Sequence, residues 1–267
     1  MDGVIQIGFL TLAVDRLLAM IAITAFIILV PLFAERLHAR KPHVIMATIV
    51  GILASRAAYV LLNLEAYSIE PWSALAFWQG GFTVWPGAIA AAVVVAWRSG
   101  NWLKASALAA VPLGIALILT GAHRGLAAPP VPLPSSLVVQ TLDGKPMHLD
   151  AMRGEPFVLN LWATWCPPCQ REMPMMADVA ARSPIPVFFI NQGEDAPKIR
   201  AFLNDRRLTE ATVLVDTRGA LGSALQAPAL PTTLFVDATG QVRVRHSGEI
   251  SRAALTATIR NLERNPP

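Results

Sequence analysis

Hydrophobic and polar positions divide this chain into two unlike stretches. In the first 128 residues apolar side chains come in long blocks without a polar stripe: 17–33, 44–62 (broken by Ser55, Arg56 and Tyr59), 82–97 and 103–119. Each block approaches the ~20 residues a helix needs to cross a hydrocarbon core. Gly51, Gly87, Gly114, Pro86 and Pro112 fall inside them, which membrane helices tolerate when neighbours re-satisfy the backbone. Four buried helices of a soluble bundle would need polar outer faces, and these blocks have none. The pattern predicts an α-helical membrane bundle of four spans over residues 1–126, with the apolar residues 1–14 lying along the outer interface.

Residues 127–135 carry Pro129, Pro130, Pro132 and Pro134, which predicts a stiff, extended spacer. Beyond it the period changes. Strand patterns at 137–141, 157–163, 186–191 and 213–215 alternate with helix patterns at 167–181, 196–204 and 219–225. Two further strands, 232–236 and 241–246, flank the turn Asp237-Ala238-Thr239-Gly240, and Ser251 caps a last helix through Leu262. This alternation predicts an α/β domain over residues 136–267.

Composition agrees with the division. Only 15% of the residues are charged, against about 25% in soluble proteins, and the deficit lies in the first half. The net charge of +4 has no basic run interleaved with aromatics, so nucleic acid is not a partner suggested here. Arg36, Arg40 and Lys41 follow the first block and Arg98 and Lys104 the third, whereas residues 63–81 contain Glu65 and Glu70 and no Lys or Arg. The positive-inside rule then places both basic loops in the cytoplasm and both chain ends outside. Trp72, Trp78, Trp85, Trp97 and Trp102 fall near predicted span ends. Asp2 stands where a cleavable signal peptide would carry a basic residue, so the amino-terminal block reads as a span.

Cys166 and Cys169 are the two cysteines of the chain. A C-x-x-C between a strand pattern and a helix pattern reads as a redox dithiol. A structural zinc site wants four ligands, and His148 and His246 lie outside finger spacing. A structural disulfide closing so short a loop would restrain little unfolded-chain entropy. No metal or cofactor is called for. Cys166 would sit at a helix mouth, where backbone N–H groups and the helix dipole favour a thiolate. As the more exposed sulfur it would attack a partner's disulfide, and Cys169 one turn later would resolve the mixed disulfide. Pro167 suits a first helical turn, and Pro168 stiffens the loop. Arg56 is the basic residue deep in a span. An intramembrane charge is a functional candidate, or a structural one paired inside the bundle, with Glu65 and Asp15 within sequence reach.

Two resemblances sharpen this. Asn160-Leu161-Trp162-Ala163-Thr164-Trp165-Cys166-Pro167-Pro168-Cys169-Gln170-Arg171-Glu172-Met173-Pro174, with Leu230-Pro231-Thr232-Thr233, resembles the thioredoxin superfamily in its TlpA-like or ResA-like branch over about 136–264. The resemblance implies a cis Pro231 beside the sulfurs, Trp165 covering the sulfur at the docking surface, and Asn160 where many relatives bury an aspartate. It also implies that Glu172 stands near the cysteines, as a proton shuttle or as a first-turn glutamate favoured by the helix dipole. Ser55-Arg56-Ala57-Ala58-Tyr59-Val60-Leu61 followed by Trp78-Gln79-Gly80-Gly81-Phe82-Thr83-Val84-Trp85-Pro86-Gly87 resembles the prolipoprotein diacylglyceryl transferase family over about 5–100. That family's functional histidine is replaced here by Trp85, which cannot exchange a proton as imidazole does, so lipid transfer is not expected and a degenerate anchor or docking platform is.

Together the resemblances imply a bacterial inner-membrane, multi-pass thiol:disulfide oxidoreductase with its dithiol in the periplasm. Its partners would be exported cysteine-containing proteins, and it would act as reductase or isomerase. The predicted spans contain no cysteine, so a separate membrane electron donor is implied. Two alternatives remain open from sequence: a dithiol oxidase of exported proteins, and a membrane scaffold or lipid-binding module with a docking thioredoxin fold.

Overall fold

The computed structural model describes residues 4–7, 10–97, 101–125, 130–134, 137–225, 227 and 229–264, and the chain divides into two compact units between residues 127 and 128. The first unit begins with the short strands β1 (Val4–Ile7) and β2 (Leu10–Ala13), paired in a two-stranded sheet. There follow helices α1 (Val14–Arg36), α2 (Val44–Leu62), α3 (Leu64–Ile69), α4 (Val84–Trp97) and α5 (Trp102–Gly125), with 3₁₀ turns at Pro71–Leu75 and Phe77–Gln79. Among the described residues three helices are long and apolar enough to cross a membrane, not the four expected. The expected third span is α4, whose 14 residues reach only about 21 Å.

The shortness has a visible cause. Thr83, just ahead of α4, is bonded to the middle of α2: its N–H donates to Ser55 O at 3.2 Å, its hydroxyl to the same oxygen at 3.0 Å, and the Ser55 hydroxyl donates to Thr83 O at 2.7 Å. Ser55 lies about 10 Å from the carboxyl end of α2 by helical rise, so residues 64–83 fold back alongside α2 before α4 starts. Close approach of the two helices needs glycine. A Cβ on Gly87 would stand 2.8 Å from Gly51 O and 2.9 Å from Ser55 Cβ.

The second unit is an eight-stranded sheet between helices. Its elements are β3 (Val131–Pro132), β4 (Val138–Thr141), β5 (Pro146–His148), β6 (Phe157–Trp162), α6 (Pro167–Arg182), β7 (Val187–Gln192), α7 (Ala196–Arg206), β8 (Val213–Asp216), α8 (Ala220–Ala224), β9 (Thr232–Val236), β10 (Gln241–Ser247) and α9 (Arg252–Arg264). The sheet order is β3-β10-β9-β6-β7-β8-β4-β5. β6 is buried at every position, as a strand covered on both faces must be. It runs parallel to β7, with Leu159 opposite Phe188, and antiparallel to β9, with Asn160 opposite Thr233. One face packs Trp162, Met173, Met176, Ile199, Leu203, Leu255 and Ile259, so α6, α7 and α9 lie on it. The other packs Leu159, Leu161, Ile190, Leu221 and Leu225, which seats α8 there.

Part of the expected spacer belongs to this unit. Val131 pairs with Val242 and Pro132 with Gln241 in antiparallel register, and Leu133 is buried. Proline lacks a ladder N–H and is accepted on an edge strand, so the proline-rich composition described an edge as well as a tether. Residues 126–129 of the junction lie outside the described residues, as do the side chains of Asp15 and His123.

Candidate active site

The apolar run of β6 ends at Trp162, and the chain turns through Ala163-Thr164-Trp165 into α6. Cys166 is the N-cap, in extended conformation, and its sulfur accepts the Cys169 N–H at 3.3 Å. Pro167 and Pro168 fill the first two helical positions, where a missing N–H costs nothing. Cys166 and Cys169 are joined as a disulfide. Cys169 is fully enclosed and Cys166 is 3% exposed, while the neighbouring Trp165 stands 64% in solvent. The sequence therefore delivers a disulfide at a helix N-terminus, preceded by a solvent-exposed indole.

Glu172 shares the inward face of α6 with Cys169, three residues and about one turn away. Its carboxyl is 3% exposed and accepts two hydrogen bonds. Asn160 Nδ2 donates to Oε1 at 3.0 Å and the Ile250 N–H to Oε2 at 2.9 Å, while the same Asn160 amide also donates to Thr233 Oγ1 at 3.2 Å. Burial pushes the Glu172 carboxyl up to about 8, against the lowering effect of the Ile250 and Asn160 hydrogen bonds; nearby Glu249 adds to the rise and Arg171 opposes it. A surface first-turn glutamate would sit in water and titrate normally, and this one does neither. Asn160, an amide that cannot act as a base, instead orients the acid.

A second carboxylate braces the turn ahead of Cys166. Glu194 Oε2 accepts the Thr164 N–H at 2.6 Å and Asn191 Nδ2 at 2.8 Å, while Oε1 accepts the Thr164 hydroxyl at 2.6 Å and Lys198 Nζ at 2.7 Å. Burial alone would raise its pKa, but these donors outweigh burial and leave it below the ordinary carboxylate value. Thr164 O in turn accepts Gln170 Nε2 at 2.6 Å. The turn is thus fixed at both N–H and C=O.

The peptide Leu230–Pro231 is cis, Pro231 is buried, and Leu230 packs against the cluster that holds both cysteines. Pro231 O accepts the Gly248 N–H at 2.8 Å. The structure thus gathers Cys166, Cys169, Glu172, Asn160, Trp165, Pro167, Pro168 and Pro231 in one unit. Sequence reasoning missed Thr233, Glu194 and the Ile250 N–H. A buried Glu-x-x-x-Lys at the entrance of α7 was a usable signal for Glu194; a backbone donor has no side-chain signal.

Arg56 belongs to the first unit. Among the described residues its hydrogen bonds go to backbone carbonyls: Nε to Ala74 O at 2.9 Å, Nη2 to Ser73 O at 2.8 Å and Ala76 O at 3.5 Å, and Nη1 to Gly81 O at 3.0 Å and to Gly80 O. The rings of Tyr67, Phe77 and Phe82 stand 5.6–5.8 Å from its guanidinium carbon. Backbone outside regular α-helix in so apolar a unit needs its polar groups satisfied by protein, and Arg56 does this for the carbonyls of Ser73, Ala74, Ala76, Gly80 and Gly81.

Among the described residues no group of three or more His, Cys, Asp or Glu could hold a metal ion. Comparison with known proteins gives two family models, Redoxin over residues 127–262 and prolipoprotein diacylglyceryl transferase over residues 3–124. The chain is 33% identical over 108 residues to the thiol:disulfide interchange protein DsbE of Vibrio cholerae, covering 40% of this chain and 58% of that protein. It is 32% identical over 135 residues to DsbE of Escherichia coli, covering 49% and 71% respectively. The thiol-disulfide oxidoreductase ResA of Geobacillus thermodenitrificans is 27% identical over 129 residues, covering 47% and 74%. Among solved structures, a secreted disulfide oxidoreductase of Mycobacterium tuberculosis is 29% identical, with a TM-score of 0.40, covering 47% of this chain and 96% of that one. With just over half of its length matched by that first model, the chain belongs to the Redoxin family, and its amino-terminal half is a prolipoprotein diacylglyceryl transferase-like helical domain.

Proposed function

We propose that this protein is a membrane-anchored thiol:disulfide oxidoreductase of the bacterial inner membrane, its thioredoxin-like unit in the periplasm, acting on exported cysteine-containing proteins as a reductase or isomerase. One observation carries the reading: a Cys166–Cys169 disulfide at the mouth of α6 lies one turn from a buried carboxyl whose pKa burial raises. The long apolar helices support anchoring, and the basic residues between α1 and α2 support the orientation.

The chemistry balances in both directions. A donor thiolate attacks Cys166 Sγ; the S–S electron pair passes to Cys169 Sγ, which takes the proton of Glu172. The donor's second thiol loses its proton to water and bonds to the donor's first sulfur, which releases Cys166 as a thiolate held by the Cys169 N–H and the helix dipole. With a substrate the sequence reverses. Cys166 thiolate attacks the substrate disulfide and displaces one substrate thiolate, Cys169 gives its proton back to the Glu172 carboxylate and attacks Cys166 Sγ, and the second substrate sulfur leaves as a thiolate, both then taking protons from water. The donor is a separate membrane protein, because both cysteines of the chain lie at 166 and 169. Cis Pro231, next to Leu230 in the cysteine cluster, and exposed Trp165, next to Cys166, would seat the substrate segment.

Equilibration of the purified full chain with glutathione tests the direction. A reduction potential well below about −200 mV supports the reductase reading, and one near −120 mV would make the protein an oxidase. Cys166→Ser abolishes exchange in either case; retained exchange would refute the assignment.

A further inference from the structure

The loop between β10 and α9, residues 248–251, touches two parts of the dithiol site, Pro231 and Glu172. Its Gly248 N–H is bonded to Pro231 O and its Ile250 N–H to Glu172 Oε2. Glu249, between them, is 10% exposed at its side chain and accepts Arg171 Nη2 at 2.8 Å and Nε at 3.1 Å. Arg171 is the residue next to Glu172 on α6. The Glu249 carbonyl contacts His246 Nε2 at 3.3 Å, and that carbonyl belongs to the same peptide group as the Ile250 N–H on the buried acid. A charge pair and a polarised peptide are therefore aimed at one proton.

We propose that Glu249 is a positioning residue for that proton: held by Arg171 in the loop whose Ile250 N–H reaches the buried carboxyl, it acts on Glu172 through its charge. The proposal rests on the reading of Glu172 as the proton carrier and extends it to the residues that tune it. The charged or titratable groups around Glu172 are Arg171 on α6, Glu249 in the loop, His246 on β10 and Arg252 at the start of α9. Asp178 engages Arg252 at 2.6 Å. Asn160 on β6, with Thr233 on β9 behind it, completes the shell without charge.

The charges predict opposite signs for two exchanges. Glu249→Gln removes an anion and leaves Arg171 uncompensated; both changes favour the Glu172 carboxylate. Arg171→Gln removes a cation that favours the carboxylate, and so favours the acid. A loop tether without electrostatic tuning predicts one sign, because either substitution loosens the Ile250 N–H and raises the Glu172 midpoint.

Infrared difference spectra of the oxidised full chain in detergent, recorded across pH, would follow the protonated-carboxyl stretch, assigned by its loss in Glu172→Gln. The pH profile of mixed-disulfide resolution gives a second readout. The expected result is a midpoint lowered by about half a pH unit or more in Glu249→Gln and raised by a similar amount in Arg171→Gln. Circular dichroism and thermal melting confirm that each variant folds, and Arg171, 59% exposed at its side chain, is the safer of the two. Shifts in one direction, or none, with the carboxyl band present would overturn the role of Glu249. Absence of a Glu172 band in the unsubstituted protein at pH 6 would instead overturn the proton role on which the proposal stands, so the two failures read differently.

Discussion

Replacing Glu172 with glutamine should change how stability depends on pH, and the size follows from burial. The folded carboxyl titrates at about 8 against an ordinary value of 4.5. Below 4.5 both states hold the proton and the group adds nothing to the slope. As pH rises from 4.5 the unfolded chain releases it while the folded chain keeps it, so this contribution to stability is progressively lost until the folded carboxyl ionises near 8. Each pH unit in that window is worth about 1.4 kcal/mol, or about 3–4 kcal/mol between pH 5 and pH 8. Solvent screening hardly discounts this, because the residue is 3% exposed. Glutamine does not titrate, and its amide fits the Asn160 and Ile250 donors imperfectly, so the variant carries a constant cost and no slope. Pulse proteolysis of the oxidised full chain in urea, read on the carboxyl-terminal unit, would compare both proteins at pH 5 and pH 8. The variant should gain about 3–4 kcal/mol relative to the unsubstituted protein across that interval. Parallel pH dependence in the two proteins would refute the burial argument.

Other expectations follow from the same geometry. Glu194→Ala strands the Thr164 N–H and hydroxyl and Asn191 Nδ2, and should cost about 3 kcal/mol in urea unfolding. Because the Glu194 carboxyl is held below its ordinary value, its stabilisation is present above that value and fades as pH falls through the folded one; a Glu194→Gln variant should melt with a shallower acid limb. Arg56→Lys should fail to support the first unit, since an ammonium has three donors for the five carbonyls now served. Its reading is the folded fraction by size-exclusion chromatography in detergent, and full recovery would count against the clamp. Gly87→Val should separate α2 from α4, where even a Cβ would meet Gly51 O at 2.8 Å, and lower the melting temperature of that unit.

The elements with strong periodicity were legible. The apolar run ending in C-x-x-C marked β6 and the mouth of α6, the Asp-Ala-Thr-Gly turn marked the β9–β10 hairpin, and Ser251 marked the start of α9. The length of α4 was not, because an apolar run reveals what lipid accepts and not the depth at which the helix begins; the Ser55–Thr83 bonds set that depth. Val131–Pro132 read as spacer because prolines are the same in a tether and on a sheet edge. At the site, the cysteines and Pro231 came from motif. The environment of Glu172 depends on an N–H 78 residues away and the brace on Thr164 on a carboxylate 30 residues away, and local pattern carries neither. Arg56 stood out in sequence as a charge within an apolar block, yet its hydrogen-bond partners among the described residues are carbonyls, which no charge pattern announces.

The central claim is that Cys166 attacks and Cys169 resolves. Cells producing the full chain with Cys169→Ala, quenched in acid and resolved without reductant, test it most directly. The account predicts mixed disulfides through Cys166 to exported proteins, lost on reduction and absent from the Cys166→Ala counterpart. Adducts that form equally through Cys169 in that counterpart, or none through Cys166, would contradict it.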